Sequence, residues 1–319
     1  MEQLLYASEI VVNGLMTGVM YALVALGFVL IYKSAGVPNL AQGALVMTAG
    51  YAVWLVMAWG LNVWIAIPIA AAIMFGFGLV VERLLLRRMV GQPVIMVVML
   101  TLGLEILLRG MVPGILGSAP KPIDLGIGFA PIIIGDVFIN RTSLYGGIVA
   151  LALVGASLLF FRTRTGTKLR AVSDDHVSSW AVGISVERAI GISWGLAGIA
   201  AVVAGALWGS SQGVDWTLSA LLFPAVAVVI LGGVDSIWGV LVGGLLVGGP
   251  RVGGRCRFAT RAAGVAGVAA GLVGQVVVGL VAGLAAVQVA GVVAIDVVAA
   301  GLVAQVVAGL VAGLAAVRV

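Results

Sequence analysis

The sequence predicts an all-α fold: a polytopic transmembrane helix bundle of about seven spans up to residue 249, with one or two further apolar helices in the tail. Three observations predict it. Only 9% of the 319 residues are charged, against about 25% in a soluble globular domain. The hydrophobic residues, 62% of the chain, gather in runs that approach or exceed the ~20 needed to cross a hydrocarbon core. The basic residues cluster in alternate gaps between those runs. In a bilayer only helices or a closed barrel satisfy the backbone. The runs lack the two-residue alternation of barrel strands, which leaves helices.

The first expected span is Ile10–Tyr32. The chain start has no basic n-region, so this run is expected to stay as a helix and not be cleaved as a signal peptide. The second, Ala41–Met57, has Pro38, Asn39 and Gln42 at its start and is expected to be short, broken or re-entrant. The others are Val63–Val81, Val94–Val112, Leu144–Phe161, Ile190–Trp208 and Leu218–Val247. Lys33 follows the first span; Arg83, Arg87 and Arg88 follow the third; Arg162, Arg164, Lys168 and Arg170 follow the fifth. Arg188 precedes the sixth, and Arg251, Arg255 and Arg257 follow the seventh. With the N-terminus outside and strict alternation, all of these fall in the cytoplasm, as the positive-inside rule expects. Lys121 and Arg141 are the chief basic residues left outside, beside acidic Glu2 and Glu9.

Small residues recur at helix-packing spacing: Gly14/Gly18, Gly205/Gly209, Gly239/Gly243 and Gly244/Gly248. They predict close helix crossings, either within the chain or in a dimer. Three longer stretches are more specific. The first runs from Asn13-Gly14 through Tyr21-Ala22-Leu23 and Leu26-Gly27 to Asn39-Leu40-Ala41-Gln42-Gly43. The second is Gly166-Thr167-Lys168-Leu169-Arg170-Ala171, then Asp174 or Asp175, then Ala181-Val182-Gly183-Ile184. The third is Leu231 to Gly239, Leu-Gly-Gly-Val-Asp-Ser-Ile-Trp-Gly, after the helix that holds Ala204-Gly205. In this order, over roughly residues 8–249, the chain resembles the branched-chain amino acid permease family of ABC importers, the LivH/LivM type.

The resemblance implies a membrane-embedded permease subunit in a bacterial inner membrane. Such a subunit pairs with a second permease, recruits separate ABC ATPase subunits, and receives an amino-acid substrate from a periplasmic or extracellular binding protein. Membrane lipid surrounds it; no cofactor, metal or nucleic acid is implied. No Walker A pattern occurs in the sequence, so ATP hydrolysis by that route belongs to another subunit and no catalytic residues are expected.

Within the second stretch, Leu169, Val172, His176, Trp180 and Ile184 fall close to one helical face. Arg170 and Asp174 stand four apart and are placed to pair on the other side. Gly166 and Gly183 bracket the segment as candidate helix ends. One reading is an amphipathic helix on the lipid headgroups. The resemblance implies instead the ATPase coupling loop, carried by Gly166, Leu169, Arg170, Ala171, Asp174, Trp180 and Gly183. Candidate pathway residues are Asn13, Tyr21, Asn39, Gln42, Glu105 and Arg109. Asn39 also suits a helix cap. Glu105 and Arg109 lie inside the fourth run at a four-residue spacing, so they pair along the helix or face a substrate. Glu105 also supports an alternative, an ion- or proton-coupled secondary transporter of small polar solutes. A urea or amide ABC permease is another. Asp235 is expected to serve turn geometry in its Gly-rich segment.

Beyond Gly249 the sequence changes character. Residues 262–319 hold two charges, Asp296 and Arg318, and Gly271–Val289 recurs as Gly301–Val319 with 16 of 19 positions identical. This sets a low-complexity tail, 250–319, apart from a permease domain, 1–249. A translated frameshift through GC-rich repeated DNA accounts for such a tail; so does a genuine apolar repeat.

Overall fold

The computed structural model describes residues 2–89, 92–126, 132–134, 137–139 and 141–249. They belong to one compact unit, Met1–Gly253. The repeat tail lies outside the described residues.

The apolar runs become ten helices among the described residues: α1 (Glu2–Ala35), α2 (Gln42–Ala58), α3 (Val63–Leu84), α4 (Val94–Leu116), α5 (Arg141–Arg162), α6 (Arg164–Asp174), α7 (His176–Ala181), α8 (Val186–Gln212), α9 (Leu222–Gly232) and α10 (Ile237–Gly248). Among the described residues, five segments are long and apolar enough to cross a membrane: Val11–Ala35, Val63–Met89, Val94–Leu116, Arg141–Arg162 and Val186–Gln212. The second expected span is indeed short, a helix of 17 residues. Between α4 and α5 a small antiparallel hairpin pairs β1 (Ile132–Ile134) with β2 (Val137–Ile139), a feature outside the expected helices.

The seventh expected span is not one helix. A 3₁₀ segment, Trp216–Leu221, leads into α9, and α9 and α10 meet at a bend of 116°. Gly233, at a φ of +93°, ends α9 in a conformation that favours glycine. Ser236 then starts α10 by accepting a hydrogen bond from the Gly239 N–H at 2.9 Å. The two helices touch at glycine: a Cβ on Gly239 would overlap the carbonyl of Gly232. The apex is held to the end of α1, where the Lys33 ammonium donates to the Asp235 carbonyl oxygen at 2.7 Å and meets its carboxylate at 3.2 Å. From there α10 runs back along α1, with Gly244 against Gly18 and Gly248 against Gly14. The chain thus leaves α10 toward the end of the bundle opposite Lys33, about 28 Å away by helical rise. Seven alternating spans would have ended beside Lys33, so strict alternation fails at this hairpin. Arg251, Arg255 and Arg257 lie outside the described residues.

α1 and α8 form the core and are buried over most of their apolar length, whereas α3, α4 and α5 expose most of theirs. α8 packs on α1, α2 and α3, and α1 also packs on α5, α9 and α10. Small residues set these crossings. A Cβ on Gly205 of α8 would lie 2.6 Å from the Val46 carbonyl oxygen of α2, and one on Gly78 of α3 would lie 2.7 Å from the Trp194 carbonyl oxygen of α8. The glycine pairs seen in the sequence therefore serve packing within the chain. Exposed apolar residues such as Ile106 and Leu107 of α4, Ile148 of α5 and Ile73 of α3 form the outer surface expected of a protein solvated by lipid.

The Lys33–Asp235 contact gives a modest prediction. Asp235 is 74% exposed, so Asp235→Asn should cost less than about 1 kcal/mol. Lys33→Met should cost more, because it also removes the bond to the carbonyl and the approach to the Phe161 ring at 5.9 Å. Thermal unfolding of the two variants in detergent checks the order.

Candidate functional site

Two regions hold the candidate residues. The first is the chain entry into α2. After α1 ends, Gly36 takes a φ of +66° and residues 37–41 turn back into the bundle without helix. The Leu40 N–H donates to the Thr101 hydroxyl of α4 at 3.3 Å. Asn39 accepts the Ala41 N–H through Oδ1 at 3.0 Å, which organises the turn before the helix. Gln42 is the first residue of α2 and lies over Gly27 of α1, where a Cβ would overlap its amide. Gly27 precedes the end of α1 by eight residues, so α2 begins about 12 Å inside the bundle. Asn39 and Gln42 are both fully buried. The Asn39 Nδ2 and both amide atoms of Gln42 find no hydrogen-bond partner among the described residues. Burying such atoms is costly, and buried polar groups are otherwise paired almost without exception.

The other transmembrane candidates are dispersed. Tyr21 of α1 stacks on Trp208 of α8 with ring centroids 5.0 Å apart. Asn13 lies two turns earlier on α1 and is half-buried, its carbonyl accepting the Thr17 hydroxyl at 2.8 Å. Glu105 and Arg109 approach to 3.8 Å along α4, and the Arg109 guanidinium lies 5.2 Å from the Trp216 ring. This pair belongs to a second cluster toward the end of the bundle opposite Lys33. There Tyr51 donates to the Gly117 carbonyl at 3.1 Å, Lys121 lies 4.6 Å from the Trp54 ring, and Lys121 and Val214 bridge through their backbones. Sequence spacing had not joined Tyr51, Trp54, Lys121 and Trp216, because they come from three separate segments, the first two from α2.

The second region is the loop between α5 and α8, at the Lys33 end. The expected single amphipathic helix is two helices, broken at Asp175, whose carboxylate receives the Ser178 N–H at 3.1 Å. The break changes which residues share a face. Leu169 and Val172 are buried against the spans, whereas Trp180 is 76% exposed and Val182 81% exposed. Arg170 does not pair with Asp174; it donates to the Phe161 carbonyl at 3.0 Å and ties α6 to the end of α5. Asp174 ends α6 and is exposed. Ala171 accepts the Ser179 hydroxyl through its carbonyl at 2.8 Å, which folds α7 back on α6. Gly183, at a φ of +84°, does end α7, with its N–H on the Trp180 carbonyl at 3.0 Å. Gly166 is not a helix end. Thr163 caps α6, accepting the Gly166 N–H at 3.3 Å, and Gly166 presses against the backbone of Phe160 and Phe161. His176 opens α7.

The comparisons with known proteins agree with this architecture. A family profile described as the permease component of branched-chain amino acid transport systems matches residues 10–256. A probable branched-chain amino acid transport permease, LivH of Methanocaldococcus jannaschii, is 29% identical over 240 residues, covering 70% of this chain and 73% of its own. BraD of Pseudomonas aeruginosa, a high-affinity branched-chain amino acid transport permease, is 27% identical over 269 residues, covering 76% of this chain and 85% of its own. The fructose import permease FruF of Bifidobacterium longum is 26% identical over 233 residues, covering 70% and 64%. The profile stops at residue 256, short of the repeated residues 271–319, and within its bounds the chain belongs to the permease-component family of branched-chain amino acid transport systems.

Proposed function

We propose that this chain is the transmembrane permease subunit of an ATP-driven importer for branched-chain amino acids, coupling a separate ATPase to substrate translocation. The observation that carries the coupling is the α6–α7 surface. Its inner side is fixed to the spans by Leu169, Val172 and Arg170, and its outer side presents Trp180 and Val182, both largely exposed. A fixed lever with a large exposed aromatic is what a groove on a partner subunit can grip. The Lys33 end is then cytoplasmic and the Trp216 end faces the binding protein. A second permease subunit completes the translocation path, and the protein resides in the plasma membrane. The similarity to LivH and BraD supports leucine, isoleucine and valine as substrates.

The test is uptake of labelled leucine into proteoliposomes that hold this chain with the permease, ATPase and binding-protein subunits of its own source. Uptake should need ATP and persist when a protonophore collapses the proton gradient. In the same assay Glu105→Gln should keep uptake within about threefold, because Gln keeps the side chain's size and polarity and the pair it gives up approaches only 3.8 Å. Uptake that ignores ATP and vanishes with the protonophore or with Glu105→Gln would instead establish ion coupling.

A further inference from the structure

We propose that the buried start of α2, with the amides of Asn39 and Gln42, binds the carboxylate of the transported amino acid. This rests on the amino-acid reading of the proposed function and adds the site. The first N–H groups of an α-helix have no intrahelical partner and carry the positive end of its dipole. In α2 that end lies about 12 Å inside the bundle, its first turn holds no acidic residue, and its N-cap, Ala41, has no side chain to accept a bond. Asn39 takes up the N–H of Ala41 and none further in. This makes a fixed positive site inside the membrane, the arrangement by which interrupted transmembrane helices meet anionic groups of substrates.

The independent observation is the amide pair. Asn39 Nδ2 and Gln42 Nε2 are donors, Gln42 Oε1 is an acceptor, and all three are buried without partners among the described residues. Two donors beside a helix N-terminus suit a carboxylate, and the one free acceptor suits the neighbouring ammonium of the same zwitterion. Neither amide carries a formal charge, so the pair offers no counter-ion to a substrate with a net charge. Gln42 rests over Gly27 in the conformer described, and substrate entry requires it to swing away. Glycine at 27 leaves the space that Gln42 fills when the site is shut.

The experiment uses the full complex in proteoliposomes with Gln42→Met and Asn39→Asp, reading leucine uptake, the half-saturating concentration of leucine-loaded binding protein, and thermal stability in detergent. Gln42→Met keeps the side-chain volume and removes two unpaired polar atoms, so its Tm should equal or exceed that of the wild type. Its maximal uptake should fall by roughly tenfold or more, the factor carried by one charge-assisted hydrogen bond, at unchanged half-saturation. Asn39→Asp should lower maximal uptake at least as far, because its carboxylate repels that of the substrate. Wild-type uptake by a stable Gln42→Met complex overturns the assignment and leaves the proposed function standing. A lowered Tm together with lowered uptake also overturns it, since the amide would then be structural. A wild-type complex that carries fructose and not leucine overturns the amino-acid reading and this site with it.

Discussion

Replacing Gly18 by Leu should clearly destabilise the folded protein in detergent, while Gly103→Leu should leave it intact. Gly18 lies where α1 crosses α10, and a Cβ there would overlap the Gly244 carbonyl oxygen and come within 2.9 Å of the Gly248 Cα. The neighbours are backbone atoms, which cannot step aside as a flexible side chain can. The contact is reciprocal, since a Cβ on Gly244 would lie 2.6 Å from the Gly18 carbonyl oxygen. Overpacking a core costs about 1–3 kcal/mol even when side chains yield, and a clash of two helix backbones lies at or beyond the top of that range. In lipid no hydrophobic gain between helices offsets it, because close packing itself is what holds them together. Gly103, on α4, has nothing within 4 Å of its would-be Cβ and is exposed. Size-exclusion profiles and thermal unfolding of the two variants give the comparison, with a fall of at least about 5 °C expected for Gly18→Leu.

A second large effect should separate coupling from folding. Gly166→Val puts a Cβ 2.5 Å from the Phe160 carbonyl oxygen and against the Phe161 backbone, where α5 hands over to α6. The helix must shift to relieve this, and Leu169, Val172 and Arg170 shift with it. Among the spans this position presses only on the last turn of α5, so membrane insertion and Tm should change less than ATPase binding. ATPase binding to the complex should weaken by about tenfold or more, equivalent to about 1.4 kcal/mol. Titration of labelled ATPase subunits onto the purified permease measures it. Strong loss of Tm with unchanged ATPase binding would assign Gly166 to the bundle and not to the lever.

The extents of α3, α4 and α5 were legible to within a few residues because crossing a bilayer demands an apolar run of fixed length, and charges mark where many runs stop. The shortness of α2 was legible from Pro38, Asn39 and Gln42. The α9–α10 hairpin was half legible. Gly232-Gly233-Val234-Asp235-Ser236 carries a turn signal, yet the flanking apolar stretch has the length of a single span, and hydropathy cannot register a fold-back whose apex is capped by Ser236 and gripped by Lys33. Long-range partners such as Lys33 and Asp235 are invisible to local pattern. The coupling loop shows the reverse error. Helical periodicity put Leu169 and Trp180 on one face, but the Asp175–Ser178 capping contact breaks the helix between them and turns Trp180 outward. Asn39 and Gln42 were visible as polar residues at a span end; their complete burial and unpaired amides were not.

The most direct test of the central claim is co-purification of this chain, in detergent, with the ATPase subunits of its own source, for the wild type and for Trp180→Ala. Stable capture by the wild type is expected, and capture at least about tenfold weaker for Trp180→Ala, with both proteins inserted and equally monodisperse. Equal capture of both would remove Trp180 from the coupling surface. Absence of capture by the wild type, and equally by a form ending at Gly249, would contradict the ATP-driven permease reading itself.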